Sequence, residues 1–201
     1  MSTLNDADRR EYYRIEDLIA LEITPLSAPE AASSEVLQDA SPLFNLLSEL
    51  HLSEFESQHL LRQISERDRA LSSYLKTLNK RVELLSQIVA QTVLGKIGEP
   101  QPVQLSEAGI AFHHPHAYPA GSHLSIKLVL MPQALGLLLR ARVSECLAQG
   151  AGYKIDTEFE SITDTQRQLL ARYILQKQAQ ARRLAREQHE SAAEQAPGRE
   201  H

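Results

Sequence analysis

Two arginines near the amino terminus, Arg10 and Arg14, have the residue type and the spacing of an anion-binding pair. They lie four residues apart, directly before a predicted strand, and this separation returns side chains to about the same side in helical or extended chain. Guanidinium groups donate paired hydrogen bonds to phosphate oxygens and to the O6 and N7 acceptors of guanine. The alternative is a solvated basic arm beside Asp6, Asp8 and Glu11.

A second polar cluster lies in the stretch VQLSEAGIAFHH, residues 103–114. Strand alternation puts Gln104 and Ser106 on one face. Gly109 has no side chain, which suits a position where the backbone turns or where a ligand comes close. A plain hairpin turn would explain the serine and the glycine equally well, with or without a ligand.

The composition of the 201-residue chain excludes several classes of protein. Aromatic residues make up 5% with no tryptophan, and the net charge is −5, which argues against a stacking platform for nucleic acid and against a general nucleic-acid binder. The single cysteine, Cys146, fits a reducing compartment. No signal-peptide core and no run of roughly 18 apolar residues is present. We therefore expect a cytoplasmic protein without a membrane insertion.

Hydrophobic periodicity divides the chain into strands, a helical middle part and a final helix. Residues 14–26 alternate with a period of two and predict a first strand. Residues 27–35 have the composition of a linker. Further strands are predicted at 103–114 (two short ones), 122–131, 137–148 and 152–160, and a helix after Thr163.

A heptad pattern runs through the helical middle part, in a helix predicted over about 54–94. Its two seam positions hold the predicted oligomerisation residues Leu61, Leu75, Val82 and Val89, and Ile64, Leu71, Leu78 and Leu85, with Asp68 as a polar exception. A sustained seven-residue repeat favours a coiled coil over an amphipathic helix docked on a core, which would follow a period of 3.6. Small uncharged residues and the apolar Tyr74 and Ile88 flank the seam. This favours three or four helices over two, and we predict a parallel homotetramer.

The two polar motifs together resemble the PilZ family of small β-barrels, through RxxxR before the first strand and LSxxGIxF on a later one. The resemblance implies a receptor for cyclic di-GMP, bound by Arg10 and Arg14 with Arg9 as a helper, and by the second motif. In the family that motif begins with Asp or Asn, whereas this chain has Gln104, followed by Ser106 and Gly109. The additional methylene and torsion of glutamine predict weak direct binding.

The predicted fold class is α+β, with a small antiparallel PilZ-like barrel interrupted by a long helical insertion and followed by a C-terminal helix. The barrel and that helix are assigned to residues 1–26 and 101–188, the insertion to 27–100, and a disordered tail to 189–201. The resemblance extends to a PilZ subgroup that assembles through inserted long helices.

An enzymatic function is not predicted, because the sequence has no nucleophile–base pair, P-loop or catalytic metal pattern. His113, His114 and His116 form an HHxH pattern near Pro115 and Pro119, in a predicted loop without the cysteine or HExxH partners of zinc sites, so neither a metal nor a cofactor is expected. Two functions are left open. One is an oligomeric cyclic di-GMP signalling protein, and the other is an oligomeric scaffold that acts only through an unidentified protein partner.

Overall fold

A closed barrel of six antiparallel strands, with helices packed around it, forms the body of the protein. The computed structural model describes residues 14–28, 30 and 37–194, and the side chains as far as residue 188. The strands are β1 Ile15–Pro25, β2 Gln101–Leu105, β3 Ile110–His114, β4 His123–Leu130, β5 Leu135–Gln149 and β6 Gly152–Glu160. The long helices are α1 Pro42–Arg67, α2 Arg69–Ile97 and α3 Asp164–Glu194. The predicted α+β fold class is confirmed.

Strand β1 closes the barrel by pairing with two different strands. Its first half pairs with β2, with Ile15 opposite Leu105, and its second half pairs with β4. The resulting order around the barrel is β1-β2-β3-β6-β5-β4. Alternate residues of all six strands point inward and form one apolar core, as the period of two requires.

The C-terminal helix α3 covers the barrel core. Its start is fixed by Thr163 and Gln166, each of which bonds the backbone N–H of the other. Leu169, Leu170, Tyr173 and Ile174 are buried in the barrel core. The predicted disordered tail from residue 189 is wrong for residues 189–194, which continue the helix. Two glutamates and two alanines among these six residues are good helix formers. Residues 195–201 lie outside the described part of the chain.

Helices α1 and α2 form a helical hairpin rather than one continuous helix. The single helix predicted over 54–94 is wrong at Asp68, which has extended backbone angles (φ −143°, ψ 102°) and joins the two helices. The N–H of Asp68 bonds the carbonyl of Ile64 and ends α1. Its carboxylate accepts from the N–H of Leu71 and caps α2. Helix α1 also begins earlier, at Pro42 after the N-cap Ser41.

The hairpin packs on the outside of the barrel through a second apolar cluster. Phe44 and Leu47 of α1 meet Ala90 and Val93 of α2 over outward-facing residues of β1 and β4. Gly136 of β5 allows this approach, because a Cβ there would lie 3.1 Å from Ser48 Oγ and 3.2 Å from the Phe44 ring. The two helices therefore run antiparallel, with their barrel-proximal ends fixed together.

A buried lysine also holds the hairpin to the barrel. Lys127 of β4 is 7% exposed, and its ammonium contacts Glu22 at 2.8 Å and Asp39, just before α1, at 2.9 Å. Burial alone would lower the pKa of Lys127, but the hydrogen bonds and charges of these two carboxylates outweigh it and raise that pKa. The contacts of Lys127 with Glu22 and Asp39 thus connect the start of the insertion to β1 and β4.

Helix α2 has two apolar faces, of which one packs against other described residues and the other is largely exposed. The inner face includes Ser72 and Ser86, which are buried, so these small residues serve close packing inside the chain. The second face, here called the outer stripe, consists of Leu71, Tyr74, Leu78, Leu85 and Ile88, all exposed except the half-buried Leu78. Leu85 is 63% and Ile88 65% exposed.

The predicted oligomerisation residues divide between exposed and half-buried positions. Leu71, Val82 and Leu85 are exposed. The half-buried ones are Leu61, Ile64, Leu75, Leu78 and Val89. Within the described part of the chain, no helix is both long and apolar enough to span a membrane.

Candidate functional site

Strand pairing brings the end of the arginine motif next to the serine motif. Because Ile15 lies opposite Leu105, Arg14 and Ser106 are neighbours at the same end of the β1–β2 pair. One residue further along the two paired strands, Gln104 lies opposite Glu16. The register therefore places Arg14 near Ser106 and Gln104 at this end of the strand pair, while Arg9 and Arg10 lie outside the described residues.

Ser106 holds the turn between β2 and β3. Its buried hydroxyl donates to the carbonyl of Gly109 at 3.1 Å and accepts from the N–H groups of Gly109 and Ala108 at 3.1 and 3.3 Å. The N–H of Ser106 bonds the same carbonyl at 2.9 Å. One donor and two acceptor positions of the hydroxyl are thus occupied, which gives the serine a structural role.

Gly109 allows β6 to approach this turn. A Cβ on Gly109 would lie 2.0 Å from the carbonyl oxygen of Thr157, so no other residue fits without movement of the backbone. The adjacent carbonyl of Ala108 accepts from the N–H of Phe159 at 2.7 Å. The serine and the glycine together fix the position of the turn against β6.

Two carboxylates lie in the barrel wall beside these residues. Arg14 Nη1 is 3.7 Å from Asp156 Oδ1, and Lys154 Nζ is 3.6 Å from Asp156 Oδ2. Gln104 Nε2 is 3.5 Å from Glu16 Oε1, a long hydrogen bond. The strand register gives a row across four strands, with Glu16, Gln104, Ala111 and Asp156 side by side.

Glu16, Lys154 and Asp156 are not among the site residues predicted from the sequence. Glu16 lies on β1, and the other two lie on β6, far along the chain from Gln104. Only the register of β1, β2, β3 and β6 places them together, and the sequence carries no local signal for that register. The alternation along each strand could show only that they face outward.

A small pocket opens on this part of the barrel wall. It has a volume of about 210 Å³ and is lined by side chains of four strands, Glu16, Asp17, Pro102, Gln104, Ala111, His113 and Lys154 among them. Ala111 lies between Gln104 and Asp156 in the register and contributes only a methyl group. The pocket exists because the neighbours of this small residue are larger.

Helix α3 anchors the strand that carries Glu16. The carboxylate of Asp17 accepts from the hydroxyl of Tyr173 and pairs with Lys177 Nζ at 2.8 Å. Burial, together with the hydrogen bond and charge of Asp17, raises the pKa of Tyr173 above its ordinary value. The start of β1 is therefore held by α3 as well as by β2.

The histidines predicted not to bind a metal lie around the end of β3. The rings of His114 and His116 are 5.5 Å apart, and the Tyr118 ring is 5.0 Å from His114. His114 Nδ1 accepts from the N–H of His116 at 3.1 Å, so this nitrogen is engaged within the loop. Across the described residues, no group of three or more potential ligands is arranged to hold a metal ion.

Comparison with known proteins identifies the barrel. Residues 78–176 match the family model described as PilZ domain, a range that covers part of α2, strands β2 to β6 and the start of α3. A search of the curated proteins found no match.

Solved structures provide further matches. A pathogenic protein from Xanthomonas campestris, described as a new tetrameric PilZ domain self-assembled via an unusual helical bundle, aligns with a TM-score of 0.53 and 17% identity over 90% of this chain and 99% of its own. The Bacillus subtilis inhibitor of motility MotI/DgrA aligns over 40% of this chain and 42% of its own (TM-score 0.36, 18% identity). YcgR in complex with c-di-GMP from Escherichia coli aligns over 45% of this chain and 41% of its own (TM-score 0.38, 17% identity). Residues 78–176, which hold most of the barrel, therefore match the PilZ domain family, and the likeness to the Xanthomonas protein extends to the fold of the chain.

Proposed function

We propose that the protein is an oligomeric signalling protein of the cyclic di-GMP pathway whose barrel binds the nucleotide directly but weakly. The observation that carries this proposal is the pairing of Ile15 with Leu105. It puts Arg14, the last residue of the arginine motif, beside Ser106 and one step from Gln104. Those residues form a polar surface next to a pocket in the barrel wall.

The weak affinity is supported by the charges around Arg14. Asp156 lies 3.7 Å from its guanidinium, so a phosphate of the ligand must compete with this carboxylate. Glu16 adds a second negative charge beside Gln104. Two carboxylates near a dianionic ligand lower its affinity by Coulomb repulsion, by an amount that salt reduces because the site is partly exposed.

Calorimetric titration with cyclic di-GMP tests the proposal. We expect a dissociation constant in the micromolar range or weaker, loss of binding in Arg10→Ala/Arg14→Ala, and tighter binding in Asp156→Asn. Arg183→Ala is a matched control, because this exposed arginine lies on α3 and pairs with Glu187. Unchanged affinity in the double arginine variant would refute binding at this site.

A scaffold that no longer binds the nucleotide is the second candidate. It is favoured by the hydrogen bonds of Ser106, whose hydroxyl is fully engaged in its own turn, and by the pairing of Arg14 with Asp156. In this case the titration shows no heat at any nucleotide concentration, including in Asp156→Asn. The protein would then act through a protein partner alone.

The oligomer in our proposal is a homotetramer in which the α2 helices of four protomers associate in parallel as a coiled coil. The outer stripe supports it, since monomeric proteins seldom leave a continuous apolar surface of this kind open. The similar Xanthomonas protein is described as a tetramer assembled through a helical bundle. A tetramer would present four barrels together and raise the avidity for a partner without additional contacts. The proposal includes a location in the bacterial cytoplasm.

A further inference from the structure

His51 of α1 is a buried histidine whose two ring nitrogens both contact carbonyl oxygens. The residue is 8% exposed. Its Nδ1 lies 2.9 Å from the carbonyl oxygen of Leu47, one turn earlier on the same helix. Its Nε2 lies 2.7 Å from the carbonyl oxygen of Gln133, in the turn between β4 and β5. The ring thus connects the α1–α2 hairpin to the barrel.

A neutral imidazole cannot make both of these hydrogen bonds. It carries one N–H donor, and its other nitrogen only accepts. A carbonyl oxygen also only accepts. In either neutral tautomer of His51, one nitrogen lone pair would therefore face a carbonyl oxygen at less than 3 Å. The imidazolium form has two N–H donors and satisfies both contacts, and hydrogen bonds from a charged donor are short, as the bond to Gln133 is.

Charged side chains from all three helices surround His51. A cavity of about 270 Å³ lies beside its ring, and Glu54 of α1, Glu83 of α2 and Arg172 of α3 line this cavity. Glu83 is already engaged by Lys80 at 2.7 Å. The charges of Glu54 and Arg172 are opposite, so neither sign dominates around the ring.

The other polar groups of this cavity are uncharged. The hydroxyl of Tyr173 donates to Asp17, and burial together with this carboxylate raises the pKa of Tyr173, so the hydroxyl keeps its proton. The turn between β4 and β5 contributes Pro132 and Gln133, which do not titrate. Because a buried charge is tolerated only where it is hydrogen-bonded, the two carbonyl contacts of His51 decide whether the ring can hold its second proton.

We infer that His51 is a pH-sensitive connection between the hairpin and the barrel, which is complete in the imidazolium form and loses one hydrogen bond when the ring loses a proton. The ion pair of Lys127 with Asp39 holds the chain just before α1, whereas His51 holds the middle of this helix. Deprotonation therefore loosens the middle of α1 while the start of the hairpin stays attached. The inference goes beyond nucleotide binding and does not depend on it.

The direction of the pH effect follows from these two contacts. In the unfolded chain a histidine ring titrates near pH 6.5, whereas the folded geometry at His51 requires both ring protons. A proton that the folded state holds more tightly contributes stability that is fully present below that pH and is lost as the pH rises. The attachment of the hairpin is therefore strongest in mildly acidic solution and weaker in mildly alkaline solution.

The test is urea unfolding of the full chain at about pH 6 and about pH 8.5, which bracket the titration of histidine, at a fixed protomer concentration. Glutamine does not titrate, so the ratio of the folding equilibrium constants of the wild type and His51→Gln isolates the ring. We expect this ratio to fall about tenfold from the lower to the higher pH, as loss of one hydrogen bond to a charged group predicts. His59→Gln is the matched control, since His59 is exposed on the same helix and its Nδ1 contacts the carbonyl oxygen of Glu56. Its ratio to the wild type should not change with pH.

A ratio for His51→Gln that is equal at both pH values would refute the inference. Hydrogen exchange followed by mass spectrometry on the wild-type chain gives a second test that needs no variant to fold. After correction for the intrinsic pH dependence of exchange, the protection of residues 47–55 should fall several-fold between the two pH values, while that of β6 stays constant. Equal protection of residues 47–55 at both pH values would also refute the inference. Since no nucleotide is added, neither result depends on the proposed function.

Discussion

At the scale of single residues, the serine and the glycine of the second motif are explained without a ligand. The Ser106 hydroxyl closes its own turn, and the absence of a side chain at Gly109 permits contact with the backbone of β6. Their presence alone is therefore weak evidence for nucleotide binding. In the proposed function, the strength of binding depends instead on the charged residues around Arg14 and Gln104.

Replacing Gly109 with alanine should destabilise the protein by roughly 3 kcal/mol, since the new Cβ would overlap the carbonyl of Thr157 and displace backbone rather than a flexible side chain. Urea unfolding at a fixed protomer concentration measures this. Gly95→Ala is the control, because Gly95 lies in helix α2 with nothing within 4 Å of its Cβ position. That change should stabilise the helix by about 0.5–1 kcal/mol. Equal stabilities for the two variants would contradict the close packing of β6.

Tyr173 should make the stability of the fold sensitive to alkaline pH. Its pKa is raised in the folded protein by burial and by Asp17, so the folded state holds this proton more tightly than the unfolded state. The corresponding stability is fully present below the unfolded pKa of about 10 and is lost as the pH rises above it. We expect Tyr173→Phe to have a shallower fall in unfolding free energy above about pH 10. Identical slopes in the wild type and the variant would exclude the effect.

At the scale of elements, Asp68 determines the shape of the insertion. The heptad pattern continues across it, yet the chain reverses there because its side chain caps α2 and its N–H closes α1. Aspartate is a good N-cap and a modest helix former, so the break needs neither glycine nor proline. The hairpin then uses the small residues Ser72 and Ser86 to bring α1 and α2 close together.

The cap at Asp68 should contribute measurably to the stability of the hairpin. Asp68→Ala removes the acceptor for the N–H of Leu71 and should lower the unfolding free energy by about 1 kcal/mol. Asp68→Ser, which restores a capping oxygen, should recover most of that loss. Urea unfolding followed by circular dichroism at 222 nm, the usual helix signal, distinguishes them. An alanine variant as stable as the serine variant would show that the cap contributes nothing.

At the scale of the whole molecule, the outer stripe of α2 is an exposed apolar surface that nothing in the described part of the chain covers. Leu85 and Ile88 are among its most exposed residues, outside the buried face that includes Ser72 and Ser86. A stripe on a helix already fixed to a barrel provides a rigid surface for association. The predicted single long helix is a hairpin in the structure, but all residues of the outer stripe lie on α2. The exposed apolar surface is therefore the same in both cases.

Changing Leu71, Leu85 and Ile88 together to glutamine should convert the proposed tetramer to a monomer of 22.5 kDa. All three side chains are exposed, and glutamine keeps good helix propensity, so the protomer should stay folded. Light scattering with size exclusion measures the mass. Leu18→Gln with Leu147→Gln is the control, since both leucines are exposed on the barrel. A wild-type protein that is already monomeric would refute the oligomer.

Much of the fold could be predicted from the sequence, because each strand shows its own alternation and the turns carry glycine or proline. The start of α3 could also be predicted, because its capping residues Thr163 and Gln166 are close together in the sequence. The break at Asp68 could not be predicted from a heptad pattern that passes through it unchanged. The row of Glu16, Gln104 and Asp156 depends on the register between strands far apart in the chain, which single-strand patterns do not contain. From the sequence, Arg14 and Ser106 could be assigned to one site only because the two motifs resemble those of the PilZ family. The pairing of β1 with β2 in the structure then shows that they lie at the same end of these strands.

The dual pairing of β1 also has a consequence for the order of folding. Every partner of β1 lies beyond residues 26–100, so closing the barrel requires contacts between distant parts of the chain, which slow folding. The α1–α2 hairpin brings its own two ends together, and its contacts are closer in sequence than those of β1, so we expect it to form before the strands meet. A hairpin that folds first shortens the loop that β1 and β2 must close. The insertion would therefore speed the folding of the barrel it interrupts.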